Sequence, residues 1–210
     1  MIKRILLLIF FSQVAFAQLD TLWTKTYFPD EDTLGFIGIS LQPTLDGGFV
    51  VLGEQTSENI EPEIFLLKAD SDGETLWTKL LPNSNYEYVK AFSIGETQNG
   101  GLSVLTRESN FNCQEEPDSS SNAILVITSM NFYGDTLWTR ALVNNYLADQ
   151  YELCSQNYIG LILHDGNYLI FGNYFADGEI KTWLLKTDSE GNIIWENSYD
   201  LSTTTDITEG

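Results

Sequence analysis

One short phrase occurs four times in this chain, and its repetition restricts the possible folds more than any other feature. The phrase places a tryptophan soon after a turn, as in GDTLWTRAL at residues 134–142. The four tryptophans are spaced by 54, 61 and 57 residues, and they are Trp23, Trp77, Trp138 and Trp195. Such spacing is typical of folds that stack copies of one supersecondary unit. The sequence therefore predicts repeats with Trp-to-Trp units at residues 24–77, 78–138 and 139–195.

Each interval between tryptophans contains the same order of segments. An extended apolar segment comes first, at residues 36–41, 89–97 and 158–163. A turn follows, with the sequence LDGGF, QNGGL or HDGNY, and its Asp-Gly or Asn-Gly pair favours a two-residue hairpin. The second strand is predicted at residues 49–53, 102–105 and 168–172. A variable loop, a third strand and the tryptophan strand complete an antiparallel four-stranded meander.

A second turn precedes each tryptophan strand. Three positions before a shared glycine stands an Asx residue, whose side chain can accept hydrogen bonds from the backbone two residues on. The Asx residues are Asp70, Asn131 and Asp188. The shared glycines are Gly73, Gly134 and Gly191, and they are expected to take the left-handed conformation.

The hydrophobic pattern favours a β-propeller over a β-sandwich. The second strands are apolar on consecutive residues, as in VVL and YLIF, so both of their faces should be covered. Blades stacked between identical neighbours satisfy this requirement, whereas a sandwich of hairpins, the alternative, exposes one face of each sheet. In the tryptophan strands the indole rings should pack on one neighbour and the preceding aliphatic residues on the other. These aliphatic residues are Leu22, Leu76, Leu137 and Ile194.

The blade pattern resembles the long-repeat β-propellers of secreted bacterial proteins, with quinoprotein-like or kelch-like blades. The residues that carry the resemblance are Asp46-Gly47-Gly48-Phe49, Leu66-Leu67-Lys68, Leu184-Leu185-Lys186 and the four LW or IW steps. The middle repeat departs from it, with Ile127-Thr128-Ser129 in place of Leu-Leu-Lys. The resemblance covers residues 19–210 and implies a cargo of the type IX secretion route that ends in a C-terminal sorting domain.

The number of repeats is too small for a closed propeller. The chain has about three blades plus flanking strands, one of them at residues 19–27, whereas closed propellers have roughly four to eight blades. We therefore expect an all-β, incomplete ring that is the N-terminal part of a longer protein. Self-association that closes the ring is the alternative.

The first seventeen residues have the layout of a secretory signal peptide. Lys3 and Arg4 precede an apolar run at residues 5–11, and Ala15-Phe16-Ala17 forms a cleavage signature. A membrane anchor is the alternative, but the run is too short to span ~30 Å of hydrocarbon. Removing residues 1–17 changes the formal charge from −20 to −22. Such acidity disfavours nucleic-acid binding and anionic membranes, so we expect a secreted or cell-surface protein without membrane insertion.

Few side chains suggest chemistry. Cys113 and Cys154 are the only cysteines, and we expect a disulfide between them in an oxidising compartment, with free thiols as the alternative. His164, the only histidine, is expected to be a solvated turn residue. The acidic stretch at residues 70–74 resembles the start of a calcium loop, but the twelfth position is Leu81, which favours a plain turn. No catalytic, cofactor-binding or metal-binding residue is predicted.

These features predict a non-catalytic propeller scaffold that binds a protein or a carbohydrate outside the cell. Two alternatives remain at this point. The chain could be a portion of a propeller enzyme, of the quinoprotein or glycan-active type, whose active site lies in other blades. It could also be a structural spacer for a C-terminal domain.

Overall fold

A computed structural model describes eight stretches of the chain: residues 23–27, 35–57, 60–81, 86–110, 123–142, 159–162, 166–176 and 179–199. Within these stretches all regular secondary structure is β, in twelve strands. The same residues contain no helix with the length and apolarity needed to cross a bilayer. The predicted signal peptide lies outside them.

The twelve strands form three antiparallel sheets of four strands each, ordered as they follow in the chain. The first sheet contains β1 Gly35–Pro43, β2 Phe49–Ser57, β3 Ile60–Ala69 and β4 Thr75–Leu80. The second contains β5 Tyr88–Glu96, β6 Leu102–Ser109, β7 Ala123–Met130 and β8 Thr136–Leu142. The third contains β9 Ile159–Ile162, β10 Tyr168–Ala176, β11 Glu179–Thr187 and β12 Ile193–Tyr199. The predicted four-stranded meanders are thus confirmed.

The second strand of each sheet begins at the predicted residue but runs further than predicted. β2 and β10 are each nine residues long, so only two residues separate β2 from β3 and β10 from β11. The expected variable loop is therefore a tight connection in the first and third sheets. The polar residues of GEQTS in β2 suggested a loop, but they continue the ladder to β3 as far as Ser57 and Ile60.

In the first two sheets, the turn between the first and second strands differs from the expected two-residue hairpin. In the first sheet the Thr44 amide donates to the Gly48 carbonyl, and the Gly47 amide donates to the Thr44 carbonyl, both at 2.9 Å. Gly47 has a positive φ of 85°. This arrangement is a longer turn in which glycine takes the left-handed position of a bulge. The Asp-Gly pair thus serves a turn that needs one positive φ.

The second sheet is covered on both faces, as the consecutive apolar residues predict. Leu102 and Val104 of β6 pack against Val50, Leu52 and Leu66 of the first sheet. On the opposite face, Leu105 and Ile127 pack against third-sheet residues, which are Tyr168, Ile170, Trp183 and Leu185. The core is therefore two layers of side chains, one between each pair of neighbouring sheets.

The sheets approach each other most closely through their first strands, since β5 contacts both β1 and β9. Within the described residues the three sheets do not form a closed ring. The fourth strands lie at the opposite edges of the sheets, where neighbouring sheets are further apart.

This divergence contradicts one prediction about the tryptophan strands. Leu76, Leu137 and Ile194 are more than half exposed, at 52%, 63% and 52%, and do not pack on a neighbouring sheet. At the outer edge of the sheets, the indole ring is long enough to reach the next sheet. The leucine on the opposite face of the strand is too short to reach the preceding sheet. Leu22 lies outside the described residues.

Candidate functional site

The three described sheets are joined by a contact that is repeated almost unchanged, which we call the tryptophan latch. In each latch, a tryptophan ring lies over the turn glycine of the next sheet. A Cβ atom added to Gly73 would lie 3.0 Å from the Trp23 ring, and one added to Gly134 would lie 2.9 Å from Trp77. At Gly191 the corresponding distance to Trp138 is 3.5 Å. Gly73 and Gly134 are therefore required by the neighbouring ring as well as by their turns, whereas at Gly191 the distance to the ring is an ordinary van der Waals contact.

The latch also has a polar half. The residue two positions after each tryptophan contacts the residue that follows the glycine. Lys25 pairs with Glu74 at 2.7 Å, and Lys79 pairs with Asp135. Arg140 donates to the side-chain oxygen of Asn192. The Lys79 ammonium lowers the pKa of Asp135, with a contribution from Asn131. An apolar contact and a polar pair thus fix the position of each sheet on the next.

The turn that receives the latch is held by its Asx residue, as predicted. Asp70 Oδ1 accepts hydrogen bonds from the backbone amides of Asp72 and Glu74, at 3.0 and 2.8 Å. Asn131 and Asp188 make the same pair of bonds in the other two sheets. The glycines have φ angles of 79°, 76° and 79°. Local sequence therefore builds the surface on which the preceding tryptophan lies.

The fourth tryptophan has no such partner among the described residues. Trp195 pairs across β11–β12 with Lys186, as Trp77 pairs with Lys68 in the first sheet, so it faces away from the second sheet. Its ring is 37% exposed, and Asn197, two positions later, is exposed as well. Three of the four predicted structural tryptophans thus form latches, and the fourth occupies the same position on an open face.

A groove of about 480 Å³ lies on the opposite end of the stack, between residues 25–27 and the first sheet. Its lining includes the apolar or aromatic residues Tyr27, Phe36, Phe65 and Leu67 and the polar residues Gln55, Thr75 and Thr78. Phe36 and Phe65 meet edge to face, with ring centroids 4.7 Å apart. The Tyr27 hydroxyl donates to the Gly73 carbonyl at 2.7 Å, which fixes the ring beside the groove.

Sequence reasoning missed the role of a buried cation, Lys68. Its ammonium lies 2.9 Å from the Asp46 carboxylate and donates to Thr44 Oγ1 at 3.0 Å. It also donates to the Ala69 carbonyl, and it lies 5.8 Å from the centre of the Phe132 ring. Hydrogen bonds from Thr44 and Lys68 lower the pKa of Asp46 to about 2. The available signal was a lysine within an apolar strand, LLK, opposite the aspartate of DGG.

Several sequence predictions fall outside the described residues, namely those for Cys113, Cys154 and His164. The disulfide therefore stays a prediction. In the part of the chain that the structure does describe, no group of three or more His, Cys, Asp and Glu side chains is arranged to hold a metal ion.

Comparison with known proteins found no match: no protein-family model matches the chain, and no curated protein shows significant similarity to it.

Proposed function

We propose that this protein is an exported, non-catalytic scaffold of β-propeller type that binds a protein or a carbohydrate through its surface. The observation that carries the proposal is the tryptophan latch, which joins successive sheets in the same way twice and attaches residues 23–27 to the first sheet in the same way. A contact repeated in this manner implies a nearly constant rotation from one sheet to the next. Sheets related by such a rotation, with their first strands innermost, have the arrangement of propeller blades.

The strand positions support the same architecture. The first strands of the three sheets are neighbours, whereas the fourth strands lie at the outer edges and reach the next sheet through the tryptophan and the polar pair of each latch. Side chains fill the space between the sheets, which makes the stack rigid. A rigid stack suits binding because little conformational entropy is lost when a ligand is held.

The groove beside Tyr27 is the candidate binding place. Aromatic rings and polar side chains both line it, which is the composition of sites that hold sugars or extended peptides. The two lysines at the rim, Lys25 and Lys79, are each paired with an acid. Their charges are therefore compensated, which favours an uncharged polar ligand over an anion.

Binding is tested with a glycan array and a panel of extracellular proteins, followed by calorimetry on each hit. We expect Phe36→Ala to weaken binding about tenfold, which corresponds to ~1.4 kcal/mol. Leu137→Ala, at an exposed position remote from the groove, is the matched control and should bind as the parent does. Absence of binding together with cofactor-dependent turnover would favour the alternative of a propeller enzyme.

Export is tested separately. We expect the protein in the culture medium or on the cell surface, with Gln18 as the first residue by mass spectrometry. An intact N-terminus in the cytoplasmic fraction would contradict this part of the proposal.

A further inference from the structure

The outward face of the first sheet exposes positions that are buried everywhere else in the stack. Phe49, Val51 and Phe65 point away from the second sheet and are only half-buried. The equivalent residues in the other sheets are buried by the preceding sheet. They are Leu102, Val104 and Val126 in the second sheet, and Tyr168, Ile170 and Trp183 in the third. The first sheet therefore presents a surface of the kind that elsewhere receives a neighbouring sheet.

The outward face of the third sheet is the complementary surface. It carries Leu169, Phe171 and Leu184, which are half-buried, together with the exposed side of Trp195. The equivalent residues of the first sheet are Val50, Leu52 and Leu66, and each of these is fully buried against the second sheet. The third-sheet end of the stack thus resembles the side of a latch that provides the tryptophan (the donor side). The first-sheet end resembles the side that receives the tryptophan (the acceptor side).

The acceptor side is already occupied at its outer edge by the segment Trp23–Tyr27. This segment has the same residues as β4 at the critical positions, since TLWTK occurs at 21–25 and again at 75–79. Trp23 stacks on Phe49, with ring centroids 6.1 Å apart, and Trp138 contacts the equivalent residue Tyr168 edge to face, at 6.2 Å. Lys25 pairs with Glu74. The segment therefore imitates the outer strand of a preceding sheet.

We propose that Trp23–Tyr27 is an intramolecular cap, and that the surface beneath it accepts the third sheet of a second copy of this chain. Trp23 of the cap and Trp195 of the second copy would need the same position over Gly73, so the two contacts exclude each other. Displacement of both caps in a pair of copies joins six sheets head to tail. Six sheets lie within the range of roughly four to eight blades in closed propellers, whereas the three described sheets of one copy do not.

In the unaltered chain, binding of the cap is favoured over binding of a second copy for two reasons. The cap belongs to the same chain as the surface that it covers, so its effective concentration at that surface is high, on the order of millimolar for tethered partners. It also supplies Lys25 to Glu74, whereas the second copy supplies the uncharged Asn197. We therefore expect the unaltered chain to be monomeric at micromolar concentration, with pairing revealed when the cap is weakened.

Sedimentation velocity across the micromolar range tests the proposal. The variant Trp23→Ala/Lys25→Ala should dimerise at least about tenfold more tightly than the parent chain, since the competing tethered contact is lost. Adding Trp195→Ala to this variant should restore the monomer. Adding Asn197→Lys instead should tighten the dimer, because it returns a base to the position of Lys25, Lys79 and Arg140.

Two further measurements keep the test independent of folding. Lys25→Glu repels Glu74 but leaves the Trp23 ring in place, so it should shift the equilibrium in the same direction by a smaller factor. A peptide of residues 19–27, LDTLWTKTY, should dissociate the dimer of the double variant, whereas the same peptide with alanine for tryptophan should not. Leu137→Ala serves as the surface control.

The proposal is wrong if the folded Trp23→Ala/Lys25→Ala and Lys25→Glu variants both remain monomeric. It is equally wrong if a dimer persists after Trp195→Ala is added, or if the parent chain dimerises as strongly as its variants. None of these outcomes depends on whether the groove binds a sugar or a protein, so the proposed function is tested separately.

Discussion

Lys68 carries a positive charge with only 1% of its surface exposed, and its position depends on one partly exposed carboxylate. Replacing it with methionine keeps the apolar stem but removes the cation that pairs with Asp46. Because water still reaches about a third of Asp46, we expect a loss of about 1–2 kcal/mol in the free energy of unfolding, less than for a fully buried pair. Urea denaturation measures the loss. Lys186→Met, at the equivalent but half-buried position, should cost less.

The same pair predicts a dependence of stability on pH. The pKa of Asp46 is lowered from 3.8 to about 2 by the Thr44 hydroxyl and Lys68, so its stabilising effect is complete above about 3.8 and is lost as the pH falls toward 2. Solvent screening limits the effect to about 1 kcal/mol. The difference in unfolding free energy between the parent and Asp46→Asn should therefore narrow between pH 5 and pH 2. A difference that stays constant over this window would count against the pairing.

Trp138 lies in the latch between the second and third sheets and packs on Tyr168. Truncation of a large buried aromatic costs roughly 3–5 kcal/mol, and partial exposure of this ring reduces our expectation for Trp138→Ala to about 2–3 kcal/mol. Thermal or urea unfolding measures the loss. Trp195→Ala is the matched control, since this ring has no following sheet among the described residues, and it should cost less than 1 kcal/mol by the same reasoning.

At the scale of the element, the turn that precedes each tryptophan strand is both a turn and a docking surface. Gly134 has a φ of 76°, and an added Cβ would lie 2.9 Å from the Trp77 ring. Gly134→Ala should therefore cost about 1–2 kcal/mol of backbone strain plus the displacement of Trp77.

Gly47→Ala separates the cost of backbone strain from the cost of displacing Trp77. Gly47 has a φ of 85°, but an added Cβ would meet nothing within 4 Å, so only the strain applies. The excess cost of Gly134→Ala over Gly47→Ala in urea denaturation then measures the latch. Equal costs for the two substitutions would mean that the close approach of Trp77 contributes nothing.

At the scale of the whole molecule, the predicted disulfide concerns the connection between sheets. Cys113 follows β6 of the second sheet, and Cys154 precedes β9 of the third. A bridge that closes this loop should contribute about 4 kcal/mol in the chain-entropy model. We expect no alkylation of either cysteine without reductant, and a lower melting temperature after reduction. Labelling of both thiols in the oxidised protein would refute the bridge.

The full chain is also acidic, with a formal net charge of −20. This charge opposes association of two copies at low ionic strength, and salt screens it within about 8–10 Å at 0.1–0.15 M. The proposed pairing of uncapped chains should therefore strengthen between low and moderate salt. The same repulsion helps to keep the capped chain monomeric.

The amino-acid sequence by itself determined the strand order, the sheet size and the turns before each tryptophan. These features depend on residues within a few positions of each other: an Asx side chain that bonds to backbone two and four residues on, a glycine with positive φ, and apolar residues in alternation or in runs. The starts of β2, β6 and β10 were predicted to the residue for this reason. Their ends were not, because the polar residues that continue β2 join a strand only when β3 pairs with them.

Only the tertiary structure decided which side of each outer strand is used. The leucine and the tryptophan of an LW step are adjacent in sequence, and both are apolar. Because of the distance to the next sheet, only the longer indole ring makes contact with a neighbouring sheet. Burial of Lys68 likewise requires the second sheet to cover it and Thr44 and Asp46 to meet it. The cap formed by residues 23–27 is a further example, since the same WTK sequence forms part of an edge strand at 77–79 and part of a segment that covers the first sheet at 23–25. These outcomes depend on the distances between sheets, which no local sequence pattern encodes.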